Sequence, residues 1–280
     1  ITGPCSVESE EHIHLTAKQL ASYNAVDLLR GGVWKPRSRP GNFSGVGNVG
    51  LTWLKEAGDA IGVPVTTEVG NTQHVEDALK AGIDVLWLGA RTTVNPFYVQ
   101  EIANALKGVD VSVLVKNPIN PDVSLWTGAI ERIMESGVTE VGAVHRGFSS
   151  YETHIYRNIP MWRIPVELRT NYPEIPIFND PSHITGNRDY LLPVMQKAMD
   201  LNFDGWMIES HPTPQQAKSD ADQQLTPEHL SRLLHDVILR EGQTEDIVFN
   251  TQLELLRSRI DELDESMIRG LVERFKVIEE

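Results

Sequence analysis

The sequence has one cysteine, no long apolar run and a deficit of basic residues. A lone Cys5 excludes an internal disulfide framework and is typical of a reducing cytoplasm. No segment approaches the roughly 20 apolar residues that a membrane helix needs. A formal net charge of -14 leaves no extended basic face for nucleic acid. We therefore expect a cytoplasmic protein that binds neither membrane nor nucleic acid, in which local basic clusters bind small anions.

Apolar runs of strand type alternate with segments of helical spacing along most of the chain. Strands are predicted at 1–6, 26–30, 63–69, 85–88, 111–116, 140–144, 175–178 and 205–209. Helices are predicted at 7–22, 49–61, 73–81, 96–106, 124–135, 187–200 and 227–240, and 147–173 is predicted to be a long loop with a short helix. A doubly wound open sheet would alternate similarly, but eight strands favour an α/β fold of the (β/α)8 TIM-barrel class.

The composition changes near Gly242, which divides the chain into a barrel at 1–242 and a second segment at 243–280. After a short linker, apolar residues recur every three or four positions, which predicts one long amphipathic helix. The chain begins without Met and ends at Glu280 without a helix cap. We therefore expect the natural protein to extend beyond both ends, with the helix as the first part of a truncated all-α domain.

Four potential metal ligands lie at or after the ends of strands 1, 7 and 8, namely Cys5, His183, Glu209 and Asp220. Because strand 8 pairs with strand 1 when a barrel closes, these side chains are expected to converge on one rim. A thiolate, an imidazole and two carboxylates suit Mn, Fe, Co or Zn better than Mg or Ca. Each residue alone has an ordinary alternative, such as a buried cysteine or a rim ion pair, so the prediction depends on their convergence.

Cationic residues lie at or after the ends of strands 2, 4, 5 and 6. Arg30 and Lys35 lie in Arg-Gly-Gly-Val-Trp-Lys-Pro-Arg-Ser after strand 2, and Arg91, Lys116 and Arg146 follow strands 4, 5 and 6. Guanidinium groups match phosphate oxygens bidentately, and glycines let the backbone approach a ligand closely. Surface ion pairs and a solvated basic loop are the alternatives, but so many strand-end cations in an acidic protein favour a rim that binds two phosphates.

These motifs resemble the 3-deoxy-D-arabino-heptulosonate 7-phosphate (DAHP) synthases, in particular their short type Iβ form. The resemblance extends from residue 1 to about residue 239 and rests on Gly-Pro-Cys-Ser, the basic motif above, Gly-Ala-Arg-Thr, Asp-Pro-Ser-His and Glu-Ser-His-Pro. It implies the condensation of phosphoenolpyruvate with erythrose 4-phosphate at the entry to the shikimate pathway. It also implies a divalent metal, with Mn favoured, held by the four ligands above.

The resemblance further implies the substrate contacts. Those to phosphoenolpyruvate fall on Arg30, Lys35, Glu68, Ala90, Arg91, Lys116 and Arg146, and those to erythrose 4-phosphate on Lys35, Pro36, Arg37 and Ser38. Among these residues Arg30, Arg91 and Lys116 are expected to act in catalysis, with Lys35 as the proton donor to the new alkoxide. The alternatives are 3-deoxy-D-manno-octulosonate 8-phosphate synthase, whose loop lacks Lys-Pro-Arg-Ser, and a regulatory barrel that binds phosphosugars without turnover.

The C-terminal segment resembles the first helix of the all-helical chorismate mutases. Arg257 and Arg274 match positions that bind substrate carboxylates there, but their spacing leaves them roughly 100° apart around the axis. Such an arrangement fits a dimer in which each chain contributes to both sites, whereas a plain dimerisation helix is the alternative. The resemblance implies a bifunctional, homo-oligomeric protein in which the mutase module regulates the synthase, and no mutase activity from these 280 residues alone.

Overall fold

A computed structural model describes residues 1–36, 41–152, 154–239 and 247–279. They divide into two units, Ile1–Ile238 and Leu239–Glu280. None of the helices in these ranges is long and apolar enough to cross a membrane. The linker predicted after Gly242 lies outside the described residues.

The first unit is a ring of parallel strands. The strands are β1 (Thr2–Gly3), β2 (Leu29–Arg30), β3 (Val65–Val69), β4 (Val85–Leu88), β5 (Ser112–Lys116), β6 (Val141–His145), β7 (Ile177–Asn179), β8 (Gly205–Trp206) and β9 (Ile208–Glu209). Each pairs in parallel with the next from β1 to β8, and β9 pairs with β1. The predicted TIM-barrel class is therefore confirmed.

The eighth predicted strand is divided at Met207, which is buried and donates its backbone N–H to Asn179 O at 2.7 Å. On one side of it β8 pairs with β7, and on the other side β9 pairs with β1. The register Gly3↔Glu209 brings the ends of the first and last strands side by side. This pairing closes the barrel and determines which strand ends can share a site.

Helices surround the strands. They are α1 (Glu10–Ser22), α2 (Val49–Ile61), α3 (Thr72–Lys80), α4 (Ala90–Thr93), α5 (Pro96–Ala105), α6 (Val123–Glu135), α7 (Arg163–Asn171), α8 (Pro181–Thr185), α9 (Leu191–Asp200) and α10 (Pro227–Asp236). Several begin where a polar cap predicts it: Asn71, Asp122 and Thr226 each accept a hydrogen bond from the backbone N–H three residues later. The predicted start at residue 7 was wrong, because Ser9 caps α1.

The second unit contains α11 (Ile247–Glu279), a single long helix. Its apolar side chains Leu256, Ile260, Leu263, Met267, Leu271, Phe275 and Ile278 are all exposed. The predicted long helix is therefore present.

Candidate active site

Three of the predicted metal ligands form a compact group. Ligand atoms of Cys5, Glu209 and Asp220 all lie within 4.8 Å of one another. Cys5 Sγ lies 3.2 Å from Asp220 Oδ2, and His183 Nε2 lies 3.7 Å from Glu209 Oε1. The barrel therefore brings together a sulfur, an imidazole nitrogen and carboxylate oxygens, a donor set that fits a divalent transition metal.

His183 is oriented by the short helix α8. Asp180 caps this helix by accepting from the His183 backbone N–H at 3.0 Å, and its carboxylate also lies 2.8 Å from His183 Nδ1. A carboxylate on one ring nitrogen fixes the tautomer that leaves the other nitrogen free to bind a metal. Burial lowers the pKa of His183, despite the nearby Asp180 charge, and so favours the neutral imidazole that a metal requires.

Asp220 and Glu209 are tied together by two neighbouring side chains. Asp220 has a left-handed backbone, with φ of 46°, which Asp tolerates better than most residues. Arg157 Nη1 donates to Asp220 Oδ1 and to Gln223 Oε1, each at 2.9 Å. Gln223 Nε2 in turn donates to Glu209 Oε2 at 2.7 Å. This network leaves Asp220 Oδ2 facing the Cys5 sulfur.

The cluster places three acidic groups, Cys5, Glu209 and Asp220, in a largely buried environment that disfavours their charged forms. Burial, reinforced by the Glu209 charge, raises the pKa of Cys5 to about 12. Burial would also raise the pKa of Glu209, but the nearby His183 and Arg30 side chains lower it below its ordinary value. A divalent cation next to these groups would favour the thiolate and offset the mutual repulsion of the acids. The electrostatics therefore fit a metal held by this set.

A cavity of about 720 Å³ adjoins the cluster. The residues predicted from the sequence that line it are Lys35, Pro36, Glu68, Ala90, Arg91, Lys116, Arg146, His183 and Asp220. Sequence reasoning missed other lining residues, which are Asn42, Ile119, Ser149, Ser150, Arg157 and Asn158. Most of these lie on loops without a distinctive motif, so the sequence offered no signal for them.

A second cavity of about 710 Å³ includes Val85 and Ser112, which begin their strands. Its surface is mainly apolar, and no Lys or Arg of the described residues lines it. Active sites of TIM barrels lie at the opposite, carboxyl ends of the strands. The cationic cavity is therefore the candidate active site.

Two of the expected cations contact the ligand cluster directly. Lys35 Nζ donates to Cys5 Sγ at 3.1 Å and to Cys5 O at 2.9 Å. Arg30 is only 1% exposed and pairs with Glu209 at 3.1 Å. Arg30 does not line the cavity, although its Nε and Nη1 groups have no hydrogen-bond partner among the described residues.

The remaining expected cations lie on the cavity wall. Lys116 Nζ pairs with Asp180 at 2.6 Å, and burial lowers the pKa of the lysine. Arg146 donates to Asn158 Oδ1 at 2.9 Å, and burial lowers its pKa to about 10. Arg91 donates to Pro36 O at 3.3 Å. An anion in the cavity would therefore meet cations from several strand ends.

The other four expected residues are Arg37, Ser38, Arg257 and Arg274. Arg37 and Ser38 lie outside the described residues, and so does the side chain of Arg257. Arg274 is exposed on α11. The proposed roles of these residues remain predictions.

Residues 1–243 match the DAHP synthetase I family. The chain belongs to this family. It is 31% identical over 237 residues to a phospho-2-dehydro-3-deoxyheptonate aldolase of Thermotoga maritima, covering 85% of this chain and 68% of that protein. It is also 28% identical to a 2-dehydro-3-deoxyphosphooctonate aldolase of Koribacter versatilis, covering 87% of this chain and 91% of the relative.

Solved structures of the family support the fold. The crystal structure of the Thermotoga maritima DAHP synthase superposes with a TM-score of 0.73 at 31% identity, over 84% of this chain and 66% of that one. A truncated form of 3-deoxy-D-arabino-heptulosonate 7-phosphate synthase from the same organism gives a TM-score of 0.70 at 28% identity, covering 84% and 83%. The chain thus spans just under two thirds of the longer solved relative.

Proposed function

We propose that the barrel is a metal-dependent type Iβ DAHP synthase. It condenses phosphoenolpyruvate with erythrose 4-phosphate and water to give DAHP and phosphate, the first step of the shikimate pathway. The observation that carries this proposal is the cationic cavity of about 720 Å³ beside the Cys5, Glu209 and Asp220 cluster. Membership of the DAHP synthetase I family supports it.

In this proposal Cys5, His183, Glu209 and Asp220 hold a divalent metal, with Mn favoured and Fe, Co or Zn as alternatives. When bound, such a metal supplies a Lewis acid that polarises the aldehyde carbonyl of erythrose 4-phosphate. The protein orients this site in advance, because Asp180 fixes the His183 imidazole and Gln223 bonds to Glu209.

The cavity cations orient phosphoenolpyruvate. Lys116, Arg91 and Arg146 line one cavity and together offer enough donors for a phosphate and a carboxylate. C3 of phosphoenolpyruvate then forms a carbon–carbon bond with the aldehyde carbon, water adds at C2, and phosphate leaves. The cations hold the phosphate group until it leaves, so that the negative charge that develops on it is stabilised.

Lys35 is the candidate proton donor to the new alkoxide. It lines the cavity and also contacts Cys5, so it lies between the substrate space and the ligand cluster. Burial alone would lower its pKa, but the nearby Cys5 and Glu68 side chains raise it above its ordinary value. The ammonium form therefore persists at neutral pH and has a proton to give. Lys35→Met should lower kcat much more than metal affinity.

The best test is the loss of ultraviolet absorbance of phosphoenolpyruvate in the presence of erythrose 4-phosphate. We expect turnover that EDTA abolishes and Mn restores. Cys5→Ala should leave a folded protein that binds Mn weakly and has no activity. His14→Ala is a matched control, because His14 is a half-buried member of another group of potential ligands, with the exposed Glu10 and Glu56; it should retain activity and Mn affinity.

A second candidate is 3-deoxy-D-manno-octulosonate 8-phosphate synthase, since relatives such as the Koribacter versatilis protein carry the name 2-dehydro-3-deoxyphosphooctonate aldolase. The Lys-Pro-Arg-Ser sequence at 35–38 favours the four-carbon sugar. The same assay with arabinose 5-phosphate separates the two, because faster turnover of the five-carbon sugar would contradict our assignment. Stoichiometric Mn binding without turnover of either sugar would instead indicate a regulatory barrel.

We further propose that α11 belongs to a chorismate mutase module, with Arg257 and Arg274 as carboxylate-binding residues. The exposed apolar side of α11 supports packing against other helices, within the module or in a homo-oligomer. A mutase ligand such as prephenate would then inhibit the synthase. Inhibition of the full-length natural protein, but not of a version ending near Gly242, is the expected result, and equal inhibition of both would contradict it.

A further inference from the structure

A tryptophan lies inside the barrel near the candidate active site. Trp87 is fully buried on β4, where it packs with Leu114, Val144 and Met207. Sequence reasoning treated this residue as part of an apolar strand and gave it no role. Its surroundings are not purely apolar.

Two buried cations lie over the Trp87 ring. Arg30 Cζ is 4.9 Å from the ring centroid, and Lys116 Nζ is 5.7 Å from it. Both distances are within the roughly 6 Å at which an aromatic face attracts a cation, and the attraction strengthens when water is excluded. One indole therefore interacts with two cations that come from different strands.

The indole stabilises these cations without cancelling their charge. Arg30 already pairs with Glu209, and Lys116 already pairs with Asp180. A further carboxylate at the position of the ring would compete with an anionic ligand for the same cations. An aromatic face carries no net charge, so it holds the cations while leaving their positive field available to the ligand.

Packing alone does not account for a tryptophan at this position. Trp87 Nε1 is buried and has no hydrogen-bond partner among the described residues. The fully buried Trp126, in contrast, donates its Nε1–H to Val115 O at 3.0 Å. An unpaired buried N–H is destabilising, and a phenylalanine or leucine would fill apolar space without it. The feature that distinguishes Trp87 from a smaller apolar side chain is therefore its ring face, over which Arg30 and Lys116 lie.

We propose that Trp87 is a positioning residue: its indole face holds Lys116, which lines the active-site cavity, beside the buried Arg30, which does not line it, so that Lys116 contacts an anion there and Arg30 adds its positive field. The identity of that anion as phosphoenolpyruvate rests on the function proposed above. The cation–aromatic geometry itself does not depend on that assignment.

The test is a calorimetric titration of the Mn-loaded protein with phosphoenolpyruvate, and separately with inorganic phosphate. Trp87→Phe retains a weaker aromatic face, whereas Trp87→Met removes it. We expect affinity for phosphoenolpyruvate to fall about threefold in the Phe variant and about 10- to 30-fold in the Met variant. Steady-state kinetics should show a raised KM for phosphoenolpyruvate and an unchanged KM for erythrose 4-phosphate.

Trp126→Met is the matched control, because no cation of the described residues lies over that fully buried ring. It should lower the melting temperature but leave the affinity for phosphoenolpyruvate within about twofold. Equal losses in the Phe and Met variants at Trp87, or a similar loss in the Trp126 variant, would overturn the proposal.

The titrations separate this inference from the proposed function. Wild-type protein that binds phosphoenolpyruvate without turning over either sugar would contradict the synthase assignment, while the graded loss at Trp87 would still support the positioning role. Wild-type protein that binds neither phosphoenolpyruvate nor phosphate would overturn the positioning role itself.

Discussion

The buried ion pair between Lys116 and Asp180 makes a quantitative prediction about stability. Their charged atoms are 2.6 Å apart, and the side chains are 6% and 0% exposed. Burial alone would raise the pKa of Asp180, but the nearby His183 imidazole and the Lys116 ammonium hold it well below its ordinary value. The carboxylate thus depends on its cationic neighbours to remain ionised.

Lys116→Met should leave this carboxylate buried with the His183 imidazole as its main partner. Removing one member of a buried ion pair typically costs about 3–5 kcal/mol. That is a large share of the roughly 5–15 kcal/mol that stabilises a folded protein. In the double variant Lys116→Met/Asp180→Asn no uncompensated charge remains, so we expect most of the loss to be recovered while activity stays absent.

Urea unfolding in EDTA measures these differences without a contribution from metal. All six tryptophans precede residue 239, so their fluorescence reports on the barrel rather than on α11. Because the folded pKa of Asp180 is depressed, its contribution is present above the unfolded carboxyl pKa near 3.9 and is lost as the pH falls. The gap between wild type and Lys116→Met should therefore narrow from about pH 5 towards pH 3.

Lys55→Met is the matched control, because Lys55 pairs with Asp84 at 3.1 Å near the surface. It should lower the free energy of unfolding by less than about 1 kcal/mol. Our reasoning would be refuted by a Lys116→Met protein as stable as wild type. It would equally be refuted if the double variant lost as much free energy of unfolding as Lys116→Met and Asp180→Asn lose separately when added together. That result would mean that the two charges are not coupled.

Three other predictions concern the same barrel. Gly3→Ala should prevent stable folding, because the added Cβ would lie 2.0 Å from Arg30 O; soluble yield and a thermal melt measure this. Burial lowers the pKa of His145 to about 4, although its ring Nε2 donates a hydrogen bond to Pro160 O, so the unfolded state binds more protons between about pH 4 and 6.5. His145 alone should consequently lower the stability by up to about 3 kcal/mol as the pH drops through that window, and His145→Gln should show a correspondingly smaller pH dependence in urea titrations at several pH values. Arg146 has no carboxylate within ion-pair distance among the described residues, so Arg146→Met should weaken phosphoenolpyruvate binding about tenfold or more in calorimetry while costing less stability than Lys116→Met.

The sequence predicted most elements of the fold because their signals are local. Apolar periodicity and the residues at the ends of each segment were enough to predict the strands 85–88 and 111–116 and the capped helices near residues 71 and 122. It did not predict α4 and α8, which are too short to show a helical period. The division of the eighth strand at Met207 was also missed, because it depends on pairing with both β7 and β1.

The convergence of the candidate ligands followed from topology, whereas their partners did not. Strand order alone indicates that Cys5, Glu209 and Asp220 share a rim, and their ligand atoms do lie together. No sequence rule pairs Arg157 with Asp220 across 63 positions, because the contact depends on the path of an irregular loop. Side-chain partners of this kind are fixed by tertiary packing and need a structure.

The pairing of buried charges explains how an acidic protein maintains a cationic cavity. Isolated buried cations would be very costly, yet Lys35 contacts Cys5 and Lys116 pairs with Asp180. The groups that hold these cations in place therefore belong to the ligand cluster or its supporting residues. A change in that cluster must alter the field in the cavity as well, so metal binding and anion binding are expected to be thermodynamically coupled through direct contacts rather than through movement of the barrel.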